Sequence, residues 1–94
     1  MLVATCVITL QLDGVHSLKE KRRILKSILA RLQREYKLAA AEVDAQDVWQ
    51  TAVIGLAIVG NDQGHLHSVL EKAVGWINTH RPDVPIADYT IEFR

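Results

Sequence analysis

Read from its first residues, the chain alternates. Leu2, Ala4, Cys6, Ile8, Leu10 and Leu12 fall on one side of an extended segment, with Val3, Thr5, Val7, Thr9 and Gln11 on the other. A period of two predicts a strand over residues 2–12 whose second face is mixed. Asp13-Gly14 ends it, and Ser17-Leu18-Lys19-Glu20 then has the spacing of a capping box, in which the Ser17 hydroxyl accepts from a backbone amide and Glu20 reaches back. A helix is expected from there. On a 3.6-residue wheel Leu18, Leu25, Leu29, Leu32 and Tyr36 form one stripe, with Ile24 and Ile28 along its border.

The pattern then returns to strands. Residues 39–44 read as a short strand, 45–50 as a polar connection carrying Trp49, and 51–59 as a strand apolar on both faces, which places it centrally. Gly60-Asn61-Asp62 offers a turn and a helix cap, after which Leu66, Val69, Leu70, Ala73, Trp76 and Ile77 define a second amphipathic helix ending near His80. Beyond Pro82 and Pro85 the last strand sets Ala87, Tyr89, Ile91 and Phe93 against Asp88, Thr90 and Glu92.

The order β-α-β-β-α-β is that of an α+β ferredoxin-like sandwich: an antiparallel sheet in order 4-1-3-2 with both helices on one face. Residues 1–94 are enough for one core and not two. Val3, Val7 and one face of Ala52-Ile54-Leu56-Ile58 are expected on the uncovered side of the sheet. An apolar patch there predicts self-association, hence a homodimer.

Net charge is zero, but its distribution is not even. From Ser17 to Lys37 eight Lys or Arg stand against two Glu, a net of +6, and the remainder carries three against nine, a net of −6. On the first helix Lys19, Arg23, Lys26 and Arg34 lie close together on the face away from the core, flanked by Arg22 and Arg31. Such a ridge is either a solvated helix face or a phosphate-binding surface. Lys21 falls near the apolar stripe instead, where it either snorkels outward or pairs with an acid such as Glu42 or Asp44.

Chemistry-bearing residues are sparse. Cys6 is the single cysteine, so no internal disulfide forms, no cysteine partner exists for a zinc site, and a cytoplasmic location is expected. Glu42 and Asp44 alternate onto one strand face, which permits a weak hard-cation site with Asp47, although solvated carboxylates or partners for the basic helix are preferred. His65 and His67 are roughly 200° apart on a helix and cannot share a metal there. No metal or other cofactor is expected. His16 reads as a surface histidine. Trp76 belongs to the core stripe, while Trp49 either folds back onto the core, the preferred reading, or anchors a partner. The central strands carry no aromatic residues, so bases cannot stack on the sheet as in RNA-recognition motifs. The loop Asp13-Gly14-Val15-His16-Ser17 lacks the arginine of the acylphosphatase phosphate cradle. With no nucleophile and base in evidence, an enzyme is not expected.

Three stretches in combination carry a resemblance: Ser17-Leu18-Lys19-Glu20-Lys21-Arg22-Arg23, Ala41-Glu42-Val43-Asp44 with Asp47 and Trp49, and Val59-Gly60-Asn61-Asp62. The chain resembles, nearly end to end, the YlxP-like family of small bacterial proteins, a domain of unknown function (DUF503). Ser17, Lys19, Lys21 and Arg22 match the family's helix-opening motif. The resemblance implies a ferredoxin-like fold and no assigned catalytic residues. It also implies a link to translation, because genes of the family often neighbour those of translation and ribosome-maturation factors. The leading expectation is a non-enzymatic module bound to ribosomal RNA or a ribosomal subunit through Lys19, Arg22, Arg23, Lys26, Arg31 and Arg34, with Ser17, Glu20 and Lys21 structural and with no membrane partner. The alternative is a dimeric regulatory module that binds a small ligand or a protein.

Overall fold

Alternation sorts the first strand onto two sides. In the computed structural model, which describes residues 1–94, β1 (Leu2–Gln11) buries Ala4, Cys6, Ile8 and Leu10 completely and leaves Val7 exposed. After it come α1 (Leu18–Tyr36), β2 (Ala39–Asp44), β3 (Thr51–Gly60), α2 (Gln63–His80) and β4 (Ile86–Phe93). The sheet order is β2-β3-β1-β4, the expected 4-1-3-2 read from the opposite edge, and every pairing is antiparallel. This is the ferredoxin-like α+β fold. Neither helix is long and apolar enough to cross a membrane.

Cross-strand partners share a face of the sheet, so the register decides what lies under the helices. Cys6 stands opposite Leu56, Ile8 opposite Ile54 and Leu10 opposite Ala52. Ala52, Ile54 and Leu56 are therefore buried beneath α1 and α2, with Ile58 half-buried. This corrects the expectation that they lie on the uncovered side. That side instead pairs Val3, Thr5, Val7 and Thr9 of β1 with Val59, Ala57, Gly55 and Val53 of β3. The β-branched and long side chains of the even-numbered set fill the core, and smaller residues line the open face. A bulge between Thr9 and Leu10 changes the last strand in the same way, because Leu10 faces Ile86 and the intervening Ala87 is exposed. Tyr89, Ile91 and Phe93 keep the expected side, opposite Ile8, Cys6 and Ala4.

The helices are capped as their sequences dictate. Ser17 Oγ accepts from Glu20 N at 3.1 Å, although Glu20 does not return the second bond of the box, and Asp62 Oδ1 accepts from His65 N at 3.2 Å. Lys37, with φ 52°, closes α1 in the left-handed region, and its amide donates to Gln33 O. The centre of the α1 core stripe is Lys21-Leu25-Ile28-Leu32, spaced i, i+4, i+7, i+11. Ile28, expected at the border, is fully buried, whereas Ile24 and Leu29 flank it half-buried. The stripe is centred this way because α1 lies over two layers of contact, the sheet below and α2 beside it.

Truncating the centre of the stripe is expected to cost more than truncating its flank. Ile28→Ala should lower unfolding free energy by about 2–5 kcal/mol, and Ile24→Ala by clearly less, as read from urea denaturation of the two variants.

Candidate functional site

The only buried charged side chain in the protein is Lys21, 1% exposed. Its ammonium donates to Ala45 O and Val48 O, each at 2.6 Å, and lies 3.0 Å from Glu42 Oε2. The two alternatives open in the sequence are thereby resolved in favour of pairing, with Glu42 as the acid. Its hydrogen bonds are directed at the two carbonyls, and Glu42 supplies the opposing charge. An unpaired ammonium in this position would carry a desolvation penalty of several kcal/mol, which only such a set of partners offsets.

The carbonyls belong to the connection between β2 and β3, and that connection is held in an unusual shape. Ala45 has φ 56°, in the left-handed region that a residue with a Cβ disfavours by roughly 1–2 kcal/mol. Both of its backbone polar groups are fixed: Asp44 Oδ1 accepts from its amide at 2.7 Å, and its carbonyl takes Lys21 together with the Val48 amide. Farther along, the Gln50 carbonyl accepts from Leu12 N at 2.8 Å and the Gln50 amide group donates to Val15 O at 2.9 Å. The β2–β3 connection, the β1–α1 loop and the first turns of α1 thus converge at one end of the sheet.

A bulge between Glu42 and Asp44 prevents those carboxylates from acting as a pair, contrary to the same-face expectation. Glu42 turns inward to Lys21, and Asp44 binds the loop backbone. No group of three or more His, Cys, Asp or Glu side chains is placed to hold a metal ion. Trp49 does not fold onto the core: it is 44% exposed, next to Val48 at 47%.

The six cations expected to bind nucleic acid divide into two groups. Lys19, Arg22, Arg23 and Lys26 are exposed, have no acidic partner, and line with Ser17 and Glu20 a hollow of about 500 Å³ at the N-terminal end of α1. The helix macrodipole disfavours a cation in the first turn, where Lys19 stands, and no acid is paired with Arg22, Arg23 or Lys26 in the turns that follow. Arg31 and Arg34 face the other flank, around a separate hollow with Trp76 and Arg81. Arg31 is committed to structure: its Nε donates to Glu35 at 3.2 Å, and its guanidinium lies 5.4 Å from the centre of the Trp76 ring. Trp76 packs against the core as expected and stacks on His80.

Other reactive groups are occupied or shielded. Burial, with a smaller contribution from Glu71, pushes the Cys6 thiol up to about 11, so it stays protonated at neutral pH. Tyr89 donates to the Glu71 carboxylate at 3.1 Å, and that bond raises the tyrosine above its ordinary range. His16 is exposed, and His65 and His67 both lie within α2.

With this geometry established, the chain can be set beside known proteins. The family described as "Protein of unknown function (DUF503)" matches residues 3–91. The chain belongs to that family. Among its relatives, the "Uncharacterized protein YlxP" of Bacillus subtilis (strain 168) is 35% identical over 63 residues, which cover 67% of this chain and 68% of that one. Among solved structures, "De novo designed protein Foldit4" aligns over 99% of this chain and 94% of its own, with 13% identity and a TM-score of 0.47. The matched span of the DUF503 family includes both Lys21 and its partners in the β2–β3 connection.

Lys21 leaves an easily read signature. Lys21→Met keeps most of the volume but strands the Val48 carbonyl and the Glu42 carboxylate, and is expected to destabilise by about 3–5 kcal/mol. Lys19→Met, on the exposed face two residues away, should change stability by no more than about 0.5 kcal/mol. Urea denaturation of both variants checks the contrast.

Proposed function

We propose that the protein is a non-enzymatic RNA-binding module, acting on ribosomal RNA or a ribosomal subunit, whose contact surface is the N-terminal half of α1. One observation carries this reading: Lys19, Arg22, Arg23 and Lys26 gather around one hollow in the N-terminal half of α1 with no acid paired to any of them. Such an arrangement is stabilised by an anion with several closely spaced charges, and a phosphodiester backbone supplies them at regular intervals. Binding releases condensed counterions, so affinity falls steeply with salt. The sheet lends no competing surface for bases, since β1 and β3 line the middle of its open face with Val, Thr, Ala and Gly. The company of translation genes implied by the family resemblance points the same way.

The open face supports a second element of the reading, a homodimer. Val7, Val43 and Val59 are exposed there, and β2, β3 and β1 enclose a shallow apolar depression of about 450 Å³ lined by residues including Ala39, Ala41, Val43, Gly55 and Ala57. Charged side chains on this side stand at its two edges: Asp44 on β2, opposite Val53, and Asp88 and Glu92 on β4, where Arg94 lies 3.9 Å from Glu92. Two copies packed through this face would leave the basic end of each α1 accessible.

Co-sedimentation with ribosomal subunits at about 50 mM salt, where phosphate contacts are least screened, tests the RNA reading. Binding is expected, with a log–log salt slope of about −3 for four contacts, and its loss when Lys19, Arg22, Arg23 and Lys26 are replaced by Glu. Absence of binding, or indifference to those substitutions, refutes it. For the dimer, sedimentation equilibrium should give twice the chain mass, reduced to a monomer by Val7→Asp; a wild-type monomer at high micromolar concentration removes the idea.

A further inference from the structure

We infer that Trp49 is a stacking platform for one unpaired RNA base, so that the site formed with the basic end of α1 takes single-stranded nucleotides rather than duplex alone. This rests on the RNA reading above and specifies its substrate.

Three features of the β2–β3 connection carry the inference. Trp49 and Val48 are both close to half exposed in a domain that has few aromatic residues to spare for its surface. The connection presenting them is rigid: the left-handed Ala45 is locked at its amide and carbonyl, Val48 O is bound by Lys21, and Gln50 is bound on both its carbonyl and its side chain. A strained backbone held by a buried lysine is costly, and local strain of this kind persists where surrounding structure over-determines it. Finally, Lys21 lies within the cationic turns themselves, between Glu20 and Arg22, so the residue that pins the Trp49 loop holds it against the same end of α1 that carries Lys19, Arg22 and Arg23 on its outer face.

The chemistry divides between the two elements. The helix offers cations to phosphate, and the loop, which carries the exposed Asp47 and the internally bonded Asp44, repels phosphate. Its aromatic face accepts any base. In a duplex the base faces are already stacked on their neighbours, whereas a loop or single strand presents them freely. The arrangement is therefore suited to an unpaired nucleotide flanked by its own phosphates, as found in the loops and ends of structured RNA.

The test uses two labelled probes, an oligoadenylate of about 12 nucleotides, within the span of single-strand sites, and a blunt RNA duplex of the same length, each titrated by fluorescence anisotropy. Trp49→Ala is expected to bind the single strand roughly tenfold more weakly than wild type, to bind the duplex unchanged, and to keep the wild-type melting temperature; Trp49→Phe should recover most of the loss. In Trp76→Phe protein, where Trp49 is the sole tryptophan, the single strand should quench its fluorescence. If wild type binds the single strand and the Glu substitutions on α1 abolish that binding while Trp49→Ala leaves it intact, the stacking role is overturned and the RNA reading stands. If wild type binds neither probe nor ribosomal subunits, both are overturned together.

Discussion

The arrangement of the sheet end where α1 begins depends on a single buried ammonium. Lys21 occupies a position on α1 that helical geometry reserves for a large apolar residue, in line with Leu25, Ile28 and Leu32. Because a charge there is tolerated only with partners, the position fixes what surrounds it: Glu42 must turn in from β2, and the connection after it must aim two carbonyls at the same point. The bulge in β2 and the left-handed Ala45 are the backbone deformations through which the chain meets that requirement. One interaction therefore couples the first turns of α1, the edge strand and the loop that carries Trp49.

That coupling also organises charge. The segment Ser17–Lys37 holds most of the protein's cations, and the structure separates them by task. Lys21 is consumed inside, Arg31 braces α1 against Trp76 of α2, and Lys19, Arg22, Arg23 and Lys26 are left without partners around one hollow. A merely solvated helix face would gain by pairing its cations with the two acids on the same helix, but Glu35 takes Arg31 and Glu20 stands alone among four cations. The acidic remainder of the chain lies mostly on other elements, so the positive field of the α1 end faces outward unopposed. On the opposite side of the sheet, β1 and β3 present uncharged side chains between acidic edges, a surface suited to packing and not to phosphate.

Much of this fold is written in local pattern. Alternation of period two located β1 and β4, a run apolar on both faces located β3, the Ser17 and Asp62 caps located both helix starts, and their order determined the sheet topology. The burial of Lys21 also had a signal in the sequence, its i+4, i+7 and i+11 spacing to Leu25, Ile28 and Leu32, although a lysine near a helix start snorkels out as easily as it pairs. Two of the features that pattern misplaced depend on register or on a bulge. Which side of β3 faces the helices follows from Cys6 standing opposite Leu56, and a shift of one residue would exchange the two faces. Glu42 and Asp44 alternate on paper, but an inserted residue in the ladder parts them.

For this protein, then, sequence by itself determined the βαββαβ order, the helix limits, the basic face of α1 and the absence of stacking residues on the sheet, because each follows from contacts between residues near in the chain. Tertiary structure alone decided that Ala52, Ile54 and Leu56 are core, that Lys21 chooses Glu42 and two loop carbonyls, that Arg31 is withdrawn to Trp76, and that Trp49 stands outside. Those outcomes join residues about twenty or more positions apart. They are settled by where desolvation and hydrogen bonding can be satisfied together, which no local period encodes.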